Sequence, residues 1–160
     1  MRIFLILSMI FSANKLLPDP FAYLTNVVSD LISVIDLGTN TAIGYVNNNG
    51  FSISHPIHIL ALPDGSKLYV IANTADAVLI LDPTQNMIVA QIDTNGFPFN
   101  NPRAMAVTPD GAKLYVTNQG SSKVSIIDTA TAKVTGYVNP SVYPFNFPSE
   151  LDIDNADLIS

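Results

Sequence analysis

Few side chains in this sequence are equipped for covalent or metal chemistry. His55 and His58 are its two histidines, and with suitable partners they could ligate a metal. No acidic or histidine partner recurs beside them, so they read as a loop histidine and a strand residue, and no metal site is expected. The absence of cysteine excludes disulfides, thiolate metal sites and thiol nucleophiles together. Glu150 is the one glutamate, and the aspartates stand singly. Asp36, Asp82 and Asp128 each close an apolar run, while Asp64 and Asp110 each precede a glycine, Gly65 and Gly111. These are turn-forming positions, and no two of the carboxylates suggest paired general acid and base work. Asp30 and Asp76 hold equivalent places, but Ser122 takes the third, which argues against an ion site repeated along the chain. There is no nucleophile elbow, phosphate-binding glycine loop or acidic calcium loop. Catalysis and a bound cofactor are therefore not expected.

What remains is a chemistry of recognition. Phe51, Phe97 and Tyr143 share one aligned position in three loops, and Ile53, Phe99 and Phe145 share another. Phe147 and several amides, Asn100 and Asn146 among them, lie in the same loops. Aromatic faces beside amides suit a glycan or an extended peptide, held by stacking and hydrogen bonding. The alternative, of equal weight, is that the aromatics turn inward and staple adjacent repeats.

The elements that would position these loops follow from one period. Tyr23, Tyr69 and Tyr115 recur every 46 residues, as do Asp36, Asp82 and Asp128, and Pro56, Pro102 and Pro148. The turn Pro63, Asp64, Gly65 returns at the same spacing as Pro109, Asp110, Gly111. One unit resolves into four short runs: Arg103 to Thr108, Lys113 to Asn118, Lys123 to Asp128 and Lys133 to Val138, separated by tight turns. Runs of about six residues rich in Val, Ile, Tyr and Thr are strands. Apolar residues make up 48 % and charged ones 12 %, a balance that suits half-buried strands and an all-β fold. Four antiparallel strands per unit, repeated, predict β-propeller blades. The recurrent tyrosines then belong to the second strand of each blade, where they pack between blades. Units fall at 18–56, 57–102 and 103–148, within a repeat region of 14–160, and an isolated innermost strand is expected at 149–154.

The run KLYVTN at Lys113 to Asn118, preceded by PRAMAVTPDG and followed by KVSIIDTATAKVTGYV, resembles the YVTN repeat of surface-layer and envelope β-propellers. The same superfamily includes lactonases and cytochrome cd1 nitrite reductases. The resemblance covers roughly Pro18 to Ile153. It departs in the second unit, where Ala72 stands in place of the motif's Asn, and in the first, where Pro18, Asp19, Pro20 replace the Pro, Asp, Gly turn. It implies a non-catalytic binding or scaffold module at the cell envelope. Two alternatives are a fragment of a larger lactonase-like or haem-binding enzyme and a purely structural surface-layer spacer.

Residues 1–13 have the layout of a secretory signal: Arg2, the apolar run Ile3 to Phe11, then Ser12 and Ala13, with a cut expected after Ala13. An uncleaved anchor or a buried N-terminal strand would also fit this composition. No other stretch is long enough to span a bilayer, so the mature chain is expected to be extracytoplasmic without a transmembrane span. A net charge of −6 with seven scattered basic residues offers no stripe for a phosphate backbone, so nucleic acid is not an expected partner. About three blades cannot close a ring of the usual four to eight. Either two chains associate to complete one, or the chain is an arc of a longer reading frame.

Overall fold

The computed structural model describes residues 20–154; the expected signal segment 1–13 lies outside them. Short β-branched and aromatic runs between turn residues form strands throughout, and the chain divides into two compact units, Met1–Gln91 and Ile92–Ser160. The first holds two sheets. One is a three-stranded meander of β1 (Phe21–Asn26), β2 (Leu31–Asp36) and β3 (Thr41–Tyr45); the other is a four-stranded meander of β4 (Pro56–Ala61), β5 (Leu68–Ala72), β6 (Ala77–Asp82) and β7 (Met87–Gln91). The second unit holds a four-stranded meander of β8 (Pro102–Val107), β9 (Lys113–Asn118), β10 (Lys123–Asp128) and β11 (Lys133–Tyr137). All pairings between these strands are antiparallel. The all-β, repeated-blade architecture read from the sequence is what the chain adopts, with three strands of the first blade among the described residues.

Register repeats along with sequence. Phe21 faces Asp36 in the first sheet, and Lys113 faces Asp128 in the third. Every outer strand carries a bulge at the same place, so that Gly44, Ala90 and Gly136 oppose Val34, Ile80 and Ile126. A bulge adds twist and bends the strand. Its recurrence curves all three outer edges alike, and Ala90 shows that the position does not require glycine.

The core of the first unit joins its two sheets. Tyr23, Ile32 and Val34 from β1 and β2 pack with Leu68, Val70, Leu79, Leu81 and Ile88 from the next blade. Each fully buried Leu or Ile contributes about 1.5–3 kcal/mol. Both faces of β5 are buried, as expected of an inner strand covered on two sides, whereas β3 is exposed along its whole length.

Asn118 and Ser125, both fully buried, pair through Asn118 Nδ2 donating to Ser125 Oγ at 2.9 Å. Asn26 donates to Ser33 Oγ at 2.9 Å in the first blade. In the second blade the same two positions are Ala72 and Leu79, also fully buried. The missing Asn of that repeat is thus accompanied by a missing Ser, and a polar bridge gives way to apolar packing. Burying either polar partner alone would cost a hydrogen bond, which is why the two change together.

The aspartates read as turn formers act as such. Asp36 Oδ1 accepts the amides of Gly38 and Thr39 at 2.8 and 3.1 Å, Asp82 Oδ1 those of Thr84 N–H and hydroxyl at 2.8 and 2.7 Å, and Asp128 Oδ1 the Thr131 amide and hydroxyl at 2.8 Å each. Asp64 and Asp110 do the same for Ser66 and Ala112, ahead of Gly65 and Gly111, whose φ angles of 70° and 73° lie in the left-handed region.

One expectation fails. Residues 149–154 form no strand. An extended segment becomes a strand only when a neighbour satisfies its backbone, and the described residues supply no partner strand after it.

Candidate functional site

The segments that follow the three outer strands share one backbone device. In the first, Asn47 Oδ1 accepts the Asn49 amide at 2.9 Å and Phe51 N–H donates to Asn48 O at 2.8 Å. In the second, Asp93 Oδ1 accepts the Asn95 amide at 2.9 Å and Phe97 N–H donates to Thr94 O at 2.8 Å. In the third, Asn139 Oδ1 accepts the Ser141 amide at 2.9 Å and Tyr143 N–H donates to Pro140 O at 2.8 Å. Asn49, Asn95 and Ser141 all take left-handed φ angles of 40–50°, which asparagine tolerates better than most residues. Several amides read as recognition groups are therefore committed to shaping their own loops. The signal was present in the sequence as an Asx residue followed two positions later by Asn or Ser, and by Gly50 or Gly96 after that.

The first two loops are each laid onto the outer strand of the sheet that follows. Asn47 pairs in parallel with Met87: its N–H donates to Asn86 O at 2.9 Å and its carbonyl accepts from Ile88 N–H at 2.8 Å. Asp93 repeats the arrangement with Lys133, through Ala132 O at 3.0 Å and Val134 N–H at 2.9 Å. The Lys133 ammonium adds an ion pair to Asp93 at 3.4 Å. The Asn95 amide holds the Asp93 carboxyl below its usual range, with Lys133 acting in the same direction.

The aromatics follow their backbone. Phe97 meets the Tyr137 ring edge-on, centroids 5.4 Å apart at 87°, a favoured aromatic geometry. Tyr137 in turn donates from its hydroxyl to Pro98 O at 2.8 Å, and Lys123 Nζ sits 4.3 Å above its ring. Burial pushes the Tyr137 hydroxyl pKa up. Phe51 rests against the core of the first unit, and Ile53 and Phe99 are buried. The third loop is different: Tyr143 is 83 % and Phe147 67 % exposed, Asn146 is exposed and Phe145 half-buried. Asn100 exposes its side chain but donates its amide to Asn118 Oδ1 at 3.0 Å. Gly120 lies so close to the Asn100 side chain that a Cβ there would collide with it.

The loops end beside the turns between second and third strands. His55 N–H donates to Asp30 Oδ1 at 2.7 Å and Phe147 N–H to Ser122 Oγ at 3.4 Å. Either an aspartate or a serine can fill this role, so the Ser122 replacement that disfavoured an ion site leaves the hydrogen bond in place. His58 lies in β4, where burial lowers its pKa. Among the described residues no three of His, Asp and Glu are grouped as a metal site would require, and no helix is long and apolar enough to cross a membrane.

Tyr23 ties the two blades of the first unit together. Its hydroxyl donates to Asn86 Oδ1 at 2.6 Å, and burial together with the Asp82 charge pushes its pKa up to about 12. Tyr69, its repeat in β5, is fully buried, and Tyr115 is half-buried in β9.

Antiparallel meanders of three or four strands in common register, two of them paired with the loop that precedes them, are β-propeller blades. Residues 10–150 match the family model described as "Lactonase, 7-bladed beta-propeller", and the chain belongs to that family. The fold is also that of Kuenenia stuttgartiensis hydrazine synthase, with a TM-score of 0.71 at 21 % identity over 91 % of this chain. The chain spans 42 % of the length of that protein. No curated protein sequence matches it.

Proposed function

We propose that the chain is a non-catalytic propeller module that binds or scaffolds at the cell envelope. The observation that carries this reading is the use made of its polar residues. Asp36, Asp82 and Asp128 close turns, Asn47, Asp93 and Asn139 shape loops, and Asp30 caps the approach to the next blade. Carboxylates and amides committed in this way to their own turns and loops support a structural rather than an acid–base role. The envelope location rests on Arg2 followed by the apolar run Ile3 to Phe11. The exposed Phe147, Asn146 and Asn100 side chains would form the recognition surface, with a glycan or an extended peptide as ligand.

A second reading is favoured by the family match: the chain is a piece of a larger propeller enzyme, hydrolytic on lactones. Proton release from aliphatic and sugar lactones, followed with the purified 160-residue chain with and without divalent cations, separates the two. The scaffold reading expects rates equal to the buffer blank; saturable hydrolysis that scales with protein concentration would overturn it.

A further inference from the structure

The third loop has the built form of a blade-to-blade staple, and the first blade has the built form of its receiver. In both staples described above, the residue that leads the loop pairs with the first residue of the next outer strand: Asn47 with Met87 and Asp93 with Lys133. At the 46-residue period the corresponding leader is Asn139 and the corresponding receiver is Thr41. Asn139 already holds the Asx turn of its two predecessors. Thr41 begins β3, exposed from end to end, and an open edge strand of this kind is a template for pairing.

The side chains match as well as the backbone. Phe97 stacks on Tyr137, whose hydroxyl reaches Pro98 O; the period places Tyr143, Tyr45 and Pro144 in these three roles. Tyr143 is 83 % and Tyr45 63 % exposed. Tyr23 donates to Asn86 Oδ1, and the corresponding pair is Tyr115 with Asn40. Asn40 has the left-handed backbone of Asn86, φ 55° against 49°. The donor half of the contact thus lies in residues 115 and 139–144, and the acceptor half in residues 40–45.

We infer that this chain associates head to tail with a second copy of itself, the 139–147 loop of one copy pairing with β3 of the next. Asn139 N–H donates to the next copy's Asn40 O, Ala42 N–H donates to Asn139 O, and Tyr143 packs on Tyr45. Such a contact is heterologous: it uses two different surfaces, and it closes into a ring or continues as a filament according to the rotation between copies.

Because the chain has no native cysteine, a disulfide can report the contact directly. The Thr41→Cys and Asn139→Cys chains are mixed, oxidised mildly and analysed by mass without reductant. Paired residues on neighbouring strands lie within disulfide reach, so a one-to-one cross-linked dimer is expected, with at least about tenfold less from either chain alone. In sedimentation velocity the native chain should associate with rising concentration. Tyr143→Glu and Tyr45→Arg should each move the midpoint at least about tenfold higher while leaving the far-ultraviolet spectrum unchanged, and mixing the two should restore a dimer. A native chain that stays monomeric, an absent cross-link in the mixture, or a 41–139 bond formed within one chain of the double variant would each overturn the inference.

Discussion

Asn118 and Ser125 offer a quantitative test of how the repeat tolerates change. Replacing Asn118 with Ala removes the donor to Ser125 Oγ and the acceptor of the Asn100 amide. Ser125 is fully buried, and an orphaned buried polar group costs about 1–3 kcal/mol. With the loss at the less buried Asn100 amide, the expected destabilisation is about 2–4 kcal/mol. Ser125→Leu alone forces a larger side chain against Asn118 and removes one of the two acceptors of its amide, the Val116 carbonyl remaining, at a cost of about 1–3 kcal/mol. The double variant reproduces the Ala72 and Leu79 pair of the second blade, both fully buried. It should therefore recover about 1–3 kcal/mol relative to the sum of the singles, as contacting residues do in a double-mutant cycle. Urea unfolding followed by far-ultraviolet circular dichroism, for the native chain, both singles and the double, measures the coupling. Additive losses would refute the argument that the two positions change together because one hydrogen bond joins them.

Phe99→Ala should cost about 3–5 kcal/mol because the ring is buried, and a denaturation midpoint unchanged from the native chain would mean that the ring is not a staple. Ala132 holds a left-handed φ of 56° where the two preceding blades carry Asn40 and Asn86; Ala132→Asn should raise stability by about 1 kcal/mol in thermal unfolding. Tyr23 has its folded pKa raised to about 12 from an ordinary 10, so its contribution is fully present below pH 10 and is lost as pH rises towards 12. The loss of stability over that window, read from urea midpoints, should be smaller in Tyr23→Phe than in the native chain. Asp64 and Asp82, held low chiefly by hydrogen bonds from Ser66 and Thr84 respectively, contribute the opposite way, with stability lost as pH falls through the carboxylate range.

The period of 46 residues made the blades legible, because strand, turn and tyrosine markers repeat in register and each has a local cause. Asp36, Asp82 and Asp128 could be read as turn formers for the same reason: an Asx turn is made within three residues. The strand expected at 149–154 failed because a strand depends on its partner, which local composition does not carry. The loop aromatics posed a different problem. Phe97 and Tyr143 occupy the same repeat position, yet one packs on Tyr137 and the other is exposed. Whether such a ring is covered depends on which outer strand lies beside it, a contact some 40 residues away. The Asn118–Ser125 bridge was hidden likewise, although the joint change to Ala72 and Leu79 recorded it.

Amide hydrogen exchange in the native state tests most directly the claim that these loops bind blade to blade. The Asn47, Ile88, Asp93 and Val134 amides donate across the staples, so in dilute protein they should exchange orders of magnitude more slowly than the Asn139 amide, with protection approaching that of the core strands. Asn139 should gain protection as concentration rises and copies associate. If the Asn47 and Asp93 amides exchange as fast as Asn139 in dilute protein, the loops are not staples and the account of this chain as a set of sewn blades is contradicted.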